Sequence, residues 1–426
     1  MILAADWIFP VSAGPLPKHA IVIENGRIRE IRPAVPGDPY HTDTCILPGL
    51  INTHTHLAYT GLRNLFDDLS FFPWIRKLTE TKYHVLTEED FVLSTKLGVA
   101  ECIRSGITTV ADMSDVQPAL AVLATSPLRG IFYWEVFGIE KEAAAQTWIG
   151  LKDKYHGLKN QYSTERLRLG ISPHACYTVR PELYMQIAEW AIEEHLPVSF
   201  HVAESKAEED FIFMREGVIA EFLRERTADW SFLGESSIQH LARTRIFETK
   251  PLVAHAVQAS ERDLEILAEA DVAVAYCPKS NAKFGHGIAP VCSMLARGIR
   301  VSLGTDSAAS NNRLDLFEEA RFGLLQQRSR YEQQVLSEQK ILEMLTIEGA
   351  RAMGMSNEIG SLEIGKFADL ILVRIPPHYN SGSQILNHLI HNCSASDVLK
   401  TFIQGEEQSY EIPDVSPIYN KVHSGL

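Results

Sequence analysis

The chain has few cysteines, no paired cysteine motif and no long apolar run. Its six cysteines are scattered over 426 residues, and no two of them form a Cys-x-x-Cys pair. This pattern argues against both a disulfide framework and a zinc site built from thiolates. Cysteine usage of this kind is typical of a reduced protein and predicts a cytoplasmic location.

Three further absences narrow the class of protein. No apolar stretch reaches the roughly 18 residues that a membrane span needs. The first residues contain Asp6 and no cationic stretch, so they predict no secretory signal. The formal net charge is −14 and basic runs are missing, which argues against a nucleic-acid partner. The sequence therefore predicts a protein that binds a small-molecule substrate and has neither a nucleic acid nor a membrane as its partner.

The two ends of the chain have the pattern of small β-structure. Residues 21–31 alternate apolar and polar side chains around Asn25-Gly26, a strong hairpin signal. Residues 368–373 read as a strand after a turn that contains Gly360 and Gly365. Neither segment is large enough for its own core. We therefore expect residues 1–48 and 360–426 to pair into one small β-sandwich domain.

Between the ends, eight short strand-like runs alternate with amphipathic helices. The strands are predicted at residues 50–57, 107–112, 130–137, 167–173, 197–203, 251–256, 271–276 and 300–305. The helices are predicted at residues 88–105, 181–194, 260–269, 314–328 and 337–353. Such alternation predicts an α/β fold, a (β/α)8 TIM-like barrel over residues 49–359. An open doubly wound sheet is the alternative, but no glycine-rich nucleotide motif follows any strand.

Two histidines end the first of these strands. His54 and His56 close the run Leu47-Pro-Gly-Leu-Ile-Asn-Thr-His-Thr-His. Because alternate side chains of a strand point to the same face, both imidazoles are expected to point the same way. They would make half of a metal site. The pair alone is weak evidence for a metal site. Further ligands at the ends of the later strands would be needed to complete one.

Polar side chains also stand at the ends of later strands. The fourth predicted strand ends near His174, the fifth near His201 and Glu204, the sixth at His255 and the eighth at Asp306. In a barrel the C-terminal ends of the strands meet at one mouth. Five histidines and two carboxylates are therefore expected to converge there.

Each of these residues has an ordinary alternative explanation. His201 alone would be a core histidine, Glu204 the start of a solvated helix, and Asp306 a helix cap. Glu135, at the end of the third strand, either faces the mouth or is an ordinary loop carboxylate, and we favour the loop carboxylate. The joint occurrence of the other residues at five strand ends favours a functional site.

Imidazole and carboxylate ligands suit one divalent metal ion. Such ligands are typical of zinc or another first-row metal with an open position for water. A two-metal site commonly needs a bridging modified lysine at the end of the fourth strand, where this chain has His174. We therefore predict a single ion, zinc with iron as the alternative, held by His54, His56, His201 and Asp306. The ion would lower the pKa of water to about 7.

These motifs resemble those of the amidohydrolase superfamily, specifically its deaminase and chlorohydrolase branch. Besides the run that ends at His56, the matching segments are Ser172-Pro-His174-Ala, His201-Val-Ala-Glu204-Ser, Cys277-Pro-Lys-Ser-Asn281, Gly304-Thr-Asp306-Ser and Gly360-Ser-Leu-Glu-Ile-Gly-Lys-Phe-Ala-Asp-Leu370. The resemblance covers nearly the whole chain. It implies a barrel with a small β-sandwich, and a homodimer is common among such proteins.

The resemblance also implies a role for each matching residue. It places Asp306 among the metal ligands and as the group that takes a proton from the attacking water. Glu204 would protonate the ring nitrogen next to the attacked carbon. His255 would hydrogen-bond the hydroxide or the tetrahedral adduct, and His174 would contact the substrate. The implied catalytic residues are thus Glu204, His255 and Asp306.

The segment after the first barrel strand narrows the resemblance. Residues 66–80 resemble a loop in deaminases of S-adenosylhomocysteine, methylthioadenosine and related nucleosides. There a tryptophan at the position of Trp74 packs on the substrate, and a glutamate at the position of Glu80 binds ribose hydroxyls. The alternative is an amphipathic helix with a core tryptophan and a surface glutamate. Residues 211–243 are longer than in those enzymes and are similar to the same region of aminodeoxyfutalosine deaminases.

The predicted reaction is hydrolytic deamination of an aminopurine nucleoside with release of ammonia. The candidates are adenosine, methylthioadenosine, S-adenosylhomocysteine and aminodeoxyfutalosine. Two alternatives stay open. One is a chlorohydrolase or a deaminase of a free base such as guanine or cytosine. The other is a barrel without catalytic activity that binds a metabolite, which the intact ligand set and Glu204 argue against.

Overall fold

The computed structural model describes residues 1–231, 234–331 and 336–424. The strands within these ranges are β1 (Ile2–Ile8), β2 (Leu16–Glu24), β3 (Arg27–Pro33), β4 (Tyr40–Pro48), β5 (Leu50–Thr55), β6 (Ile107–Ser114), β7 (Arg129–Val136), β8 (Leu167–Pro173), β9 (Ser199–Val202), β10 (Leu252–His255), β11 (Ala273–Tyr276), β12 (Arg300–Leu303), β13 (Leu370–Arg374), β14 (Val398–Ile403) and β15 (Glu406–Glu407).

Helices follow or connect most of these strands. They are α1 (Phe71–His84), α2 (Glu88–Arg104), α3 (Gln117–Thr125), α4 (Lys141–Tyr162), α5 (Pro181–Glu194), α6 (Lys206–Met214), α7 (Gly217–Leu223), α8 (Ser237–Ala242), α9 (Glu261–Glu269), α10 (Pro278–Lys283), α11 (Val291–Ala296), α12 (Ala308–Asn311), α13 (Leu316–Tyr331), α14 (Glu338–Leu345), α15 (Ile347–Ala352), α16 (Gly382–His391) and α17 (Ser416–Ser424). Short 3₁₀ turns lie at Leu57–Leu62, Ile246–Thr249 and Ala395–Asp397.

Strands from both chain ends form one seven-stranded sheet, in the order β15-β14-β13-β4-β1-β2-β3. Only β1 and β4 pair in parallel within it. The predicted hairpin is present, and Asn25 and Gly26 have the positive φ angles, 52° and 74°, that its turn requires. The backbone N–H of Ile28 in β3 donates to the carbonyl of Lys366 (2.9 Å), so the edge strand contacts the approach to β13. The sheet thus encloses an apolar core of its own.

The other eight strands form the barrel. Two parallel sheets, β5-β6-β7-β8 and β12-β11-β10-β9, supply four strands each. A bridge between Ile171 and Val198 joins β8 to β9. On the other side, Thr53 of β5 donates its hydroxyl hydrogen to the carbonyl of Leu303 in β12 (2.9 Å). The strands therefore close on themselves, and the predicted fold class is confirmed.

The barrel strands are buried along nearly their whole length. Every residue of β6 and of β7 is buried, because side chains of one face fill the barrel and those of the other pack under the helices. This explains why the runs are apolar and β-branched rather than alternating. All eight predicted strands are present, each within three residues of its predicted limits.

The helices follow the sequence pattern with one correction. The predicted helix over residues 181–194 coincides with α5, which begins at a proline, the residue that best tolerates the first helical position. The single helix predicted over residues 337–353 is wrong. It is two helices, α14 and α15, separated at Thr346 (φ −134°, ψ −95°). The Thr346 hydroxyl donates to the carbonyl of Leu342 (2.6 Å) and thus competes with helical backbone bonding.

One buried ion pair connects the terminal sheet to the barrel. Nε of Arg129, the first residue of β7, lies 3.0 Å from Oδ2 of Asp369, next to β13, and both side chains are 2% exposed.

The domain limits at 1–48 with 360–426 and at 49–359 stay a prediction. Within the described ranges, no helix has the length and apolar character that crossing a membrane requires.

Candidate active site

The C-terminal ends of β5, β9 and β12 bring a cluster of imidazoles and one carboxylate together. Nε2 of His56 lies 3.4 Å from Nε2 of His201. Oδ1 of Asp306 lies 3.6 Å from Nε2 of His54 and 3.5 Å from Nε2 of His56. All four side chains are buried. The structure therefore places the four predicted ligands side by side, at the barrel end where the sequence pattern located them.

Hydrogen bonds fix which nitrogen of these imidazoles faces the cluster. Nδ1 of His56 donates to the carbonyl of Met113 (2.9 Å), and Nδ1 of His201 donates to the carbonyl of His174 (2.9 Å). A carbonyl oxygen only accepts, so the proton sits on Nδ1 and the lone pair on Nε2. Within the described chain, neither ring nitrogen of His54 has a hydrogen-bond partner. Unpaired imidazole nitrogens beside a carboxylate fit a divalent metal ion.

Burial keeps these imidazoles neutral, as metal ligands must be. Removal from water, together with the charge of His54, lowers the pKa of His56 to about 3. Burial and the neighbouring imidazoles hold the pKa of His201 well below its usual value. Burial alone would raise the pKa of Asp306, but the imidazoles around it outweigh this effect and lower that pKa. The arrangement therefore favours a carboxylate among neutral imidazoles.

The backbone after β12 is shaped to present Asp306. This residue has a φ of 58°, in the left-handed region, and its backbone N–H donates to the carbonyl of His54 (2.9 Å). Its Oδ2 accepts hydrogen bonds from the hydroxyls of Ser280 (2.6 Å) and Ser310 (2.7 Å). Those two bonds hold one oxygen, so Oδ1 is turned towards the imidazoles.

A second carboxyl group, Glu204, lies beside the cluster. Its Oε1 is 3.6 Å from Nε2 of His255 and 3.6 Å from Nε2 of His286. Burial and the negative charges of Asp306 and Glu208 raise the pKa of Glu204 well above its usual value. Both effects favour the protonated form of this group. A buried acid with a raised pKa can donate that proton to a bound molecule.

Two neighbours hold Glu204 and His255 in place. The carboxylate of Glu208 accepts the backbone N–H groups of Ala203 (2.8 Å) and Glu204 (2.9 Å). Nδ1 of His255 donates to Oδ1 of Asn281 (3.0 Å), which leaves the Nε2 lone pair facing the cavity. Asn281 belongs to the Cys-Pro-Lys-Ser-Asn motif of the sequence, so that motif supports the histidine.

A cavity of about 770 Å³ opens over the cluster. Eight of the nine predicted site residues line it: His56, Trp74, Glu80, His174, His201, Glu204, His255 and Asp306. His54 lies within the same cluster, its ring centroid 5.0 Å from that of His56. Trp74 is buried, with its ring centroid 4.8 Å from that of Phe284. The structure thus brings the whole predicted set to one cavity, while the roles of its members stay predictions.

Glu80 is the most exposed of the predicted residues. Its side chain is 52% exposed and lies at the rim, where Nη2 of Arg76 is 3.6 Å from its Oε1. Both groups belong to α1, one helical turn apart. Glu80 is therefore free to contact a ligand that enters the cavity.

The sequence pattern missed three residues of the cavity region. Glu135 is not a loop carboxylate, because it lies in β7, is buried and lines the cavity. Burial raises the pKa of Glu135 to about 8, opposed by the charge of Lys82. Lys82 extends from α1 to the cavity wall, where its ammonium contacts Asp115. His286 follows α10 in an irregular loop, which no periodic signal marks.

Comparison with known proteins identifies the family. The model of the amidohydrolase family matches residues 45–407. The chain belongs to the amidohydrolase family. This match spans most of the chain, from the last strand of the N-terminal half-sheet to the end of β15, and it confirms the resemblance that the motifs indicated.

Curated relatives of this amidohydrolase share about a third of its sequence. A 5-methylthioadenosine/S-adenosylhomocysteine deaminase of Thermoanaerobacter pseudethanolicus is 34% identical over 89% of this chain and 85% of its own length. The enzyme of the same name from Moorella thermoacetica is 32% identical over 94% of this chain and 91% of its own. The similarity extends over both the barrel and the terminal sheet.

Solved structures share the fold of this amidohydrolase. An adenosine deaminase from Xanthomonas campestris with bound zinc superposes with a TM-score of 0.84 at 24% identity, over 99% of this chain and 97% of the other. A Helicobacter pylori aminofutalosine deaminase gives 0.79 at 21%, over 96% and 100%. The atrazine chlorohydrolase of Arthrobacter aurescens with zinc gives 0.80 at 19%, over 99% of both chains. At these identities the likeness shows the fold alone.

Proposed function

We propose that this amidohydrolase is a metal-dependent deaminase of an adenine nucleoside. The observation that carries the proposal is the pairing of Glu204 with the imidazole cluster in one cavity. A proton held on a buried carboxyl group next to a metal site is what hydrolysis at an aminated ring carbon requires. The names of the two curated relatives support the same reaction.

One divalent ion, which we propose to be zinc, would be held by four side chains: His54, His56, His201 and Asp306. The unpaired nitrogens of His54 support this assignment, because buried polar atoms without partners are costly. The end of β8 provides His174 and no lysine, which supports a single ion. When bound, the ion supplies a Lewis acid that lowers the pKa of water to about 7.

The side chains of the cavity divide the proton transfers. As water attacks the carbon that carries the amino group, Asp306 accepts its proton. Glu204 gives its own proton to the neighbouring ring nitrogen, which neutralises the negative charge that the attack would otherwise place there. His255, whose Nε2 carries a lone pair, accepts a hydrogen bond from the attacking oxygen. The proton that Asp306 accepted then goes to the amino nitrogen, which leaves as ammonia. The hydroxyl proton of the adduct returns to Glu204 as the carbonyl group of the product forms.

The outer part of the cavity supports a nucleoside with an apolar 5′ substituent. Phe72 and Phe222 meet there edge to face, with ring centroids 5.6 Å apart. Phe222 belongs to α7, within the long segment after β9, and Arg226 follows it at the same rim. Glu80 supports a contact with ribose hydroxyls. Methylthioadenosine and nucleosides with larger 5′ groups therefore fit better than adenosine.

The second candidate is a chlorohydrolase or a free-base deaminase with the same metal site. Glu80 separates it from the first, because a ribose contact is useless to an enzyme that takes a free base or a triazine.

The unpaired thiols support a cytoplasmic location, since every cysteine of the chain is free and five of the six are buried. The homodimer stays a prediction.

The test is ammonia release by the zinc-loaded protein from a panel of substrates. The panel holds adenosine, methylthioadenosine, S-adenosylhomocysteine, aminodeoxyfutalosine, guanine and cytosine, with chloride release from a chlorotriazine as a further arm. We expect turnover of one adenine nucleoside and no turnover of the free bases. With that nucleoside, Glu80→Ala should raise KM and leave zinc content unchanged. Turnover of a base or the triazine alone would contradict the proposal.

A further inference from the structure

Glu135 is a buried carboxyl group that the mechanism above does not use. It stands near the end of β7, its side chain is 3% exposed, and it lines the cavity. Its Oε1 has no hydrogen-bond partner among the residues that the structure describes. A buried polar atom left without a partner costs about 1–3 kcal/mol. A group on a bound molecule is the natural partner for such an atom.

The position of Glu135 restricts which part of the substrate it meets. A carboxylate oxygen of Glu135 lies within 4.8 Å of ring nitrogens of His56 and His201. It therefore lies beside two of the proposed metal ligands. Glu204 approaches the same centre from the side of His255 and His286. The two carboxyl groups would thus meet different atoms of a ring bound between them.

His174 provides a second acceptor next to Glu135. The Thr178 hydroxyl donates to the carbonyl of Ala175 (3.1 Å), so it accepts the Nδ1 proton of His174 (2.8 Å). Nε2 of His174 then carries a lone pair, and it lies 4.0 Å from Oε1 of Glu135. Two acceptors this close both lie within hydrogen-bond reach of one small group that has two hydrogens.

We propose that Glu135 and His174 bind the amino group that leaves, and that they make the site selective for amines. This inference rests on the proposed deaminase function. In the reaction a carbon–oxygen bond forms from water and the carbon–nitrogen bond breaks. The nitrogen leaves with its own two hydrogens and one proton from that water. Glu135 and His174 accept the nitrogen's two N–H bonds as the carbon–nitrogen bond breaks.

The chemistry distinguishes an amino group from other leaving groups. A chloro substituent has no hydrogen to donate, so it leaves both acceptors buried and unpaired. A carboxyl group keeps an accepting oxygen whether it is protonated or ionised, so the role of Glu135 is the same in both states. The pair therefore favours deamination over dechlorination within one metal site.

The test compares two leaving groups in the zinc-loaded full-length enzyme. kcat/KM is measured for methylthioadenosine and for its 6-chloro counterpart, with Glu135→Leu, Glu135→Ala and the exposed control Glu142→Gln. We expect Glu135→Leu to lower deamination about 10- to 100-fold, since one buried hydrogen bond of this kind is lost. Dechlorination should change by less than about threefold, and zinc content should not change.

Three outcomes would overturn the inference. Equal losses on both substrates would show that Glu135 has no preference for the amine. Loss of zinc from Glu135→Leu would make the residue a metal ligand. If that variant does not fold, Glu135→Ala decides, because it also removes both oxygens and should lower the amine-to-chloride ratio. A wild-type enzyme that releases chloride but no ammonia would contradict the proposed function as well, whereas equal losses contradict this inference alone.

Discussion

Glu204 owes its proposed role to burial more than to any single partner. Its Oε1 lies 3.6 Å from the imidazoles of His255 and His286, in a buried position without a cation. Burial and the negative charges of Asp306 and Glu208 both disfavour an ionised Glu204. The raised pKa follows, and it favours the protonated form that an acid needs. The same residue in a solvated helix start would be ionised and useless as an acid.

Replacing Glu204 by Gln tests this directly. The amide has almost the same shape but cannot deliver a proton, so we expect kcat on the best nucleoside to fall roughly 10²- to 10⁴-fold. Zinc content should be unchanged, because Glu204 is not a proposed ligand. The exposed Glu216→Gln is the matched control. Near-normal turnover by the Glu204→Gln variant would refute the acid role.

At this scale the strand pattern located the residues at strand ends, and the resemblance to a known family added Trp74 and Glu80 on α1. His54, His201 and Asp306 follow apolar runs, and the barrel rule places such residues at one mouth. Lys82 and His286 reach the same region from a helix and from an irregular loop. Their positions depend on how α1 and the loop after α10 pack, which is tertiary information that local periodicity does not contain.

Among the elements, α9 has a complete cap at its N-terminus. The backbone N–H of Asp263 donates to the hydroxyl of Ser260 (3.3 Å), and the backbone N–H of Ser260 donates to the Asp263 carboxylate (2.8 Å). These reciprocal bonds satisfy two groups that every helix start leaves open. They also fix where the chain turns after β10, which carries His255.

Ser260→Ala should lower the free energy of unfolding by about 1 kcal/mol, the usual cost of losing such a cap. Equilibrium unfolding in urea measures the change. Ser260→Thr keeps the hydroxyl and is the matched control, with a smaller expected loss. If Ser260→Ala and Ser260→Thr unfold at the same urea concentration, the cap contributes nothing.

The presence of the helices and strands could be predicted from the sequence. Where some of them end depends on side-chain hydrogen bonds that the sequence does not show. The start of α5 at Pro181 was readable, because proline fixes the first helical dihedral. The break at Thr346 was not readable, because an amphipathic pattern continues through it and the deciding bond to Leu342 is visible only in three dimensions. The pairing of both chain ends into one sheet followed from each being too small to fold alone.

For the whole molecule, the Arg129–Asp369 pair is one of the buried polar contacts that join the barrel to the terminal sheet. Asp369 also accepts the backbone N–H of Gln404 (2.8 Å). Removing one charge from such a pair leaves the other buried and uncompensated, at a cost of about 3–5 kcal/mol. We therefore expect Arg129→Leu to destabilise the protein by that amount in urea unfolding.

The double variant Arg129→Leu with Asp369→Leu separates charge from packing. Apolar side chains in place of both charges remove the uncompensated ion, so most of the lost stability should return. A double variant as unstable as the sum of the two single variants would show that the hydrogen bonds, rather than the charges, hold the two parts together.

The sheet built from both chain ends has a consequence for synthesis on the ribosome. β4 pairs with β1 on one side, but its other edge is completed only by β13. Residues 49–369 must be translated in between, which takes on the order of tens of seconds. For that time the nascent chain exposes an apolar strand edge around Cys45–Leu47, the kind of edge that pairs with other chains. The topology therefore leaves this edge without its partner strand until β13 has been synthesised.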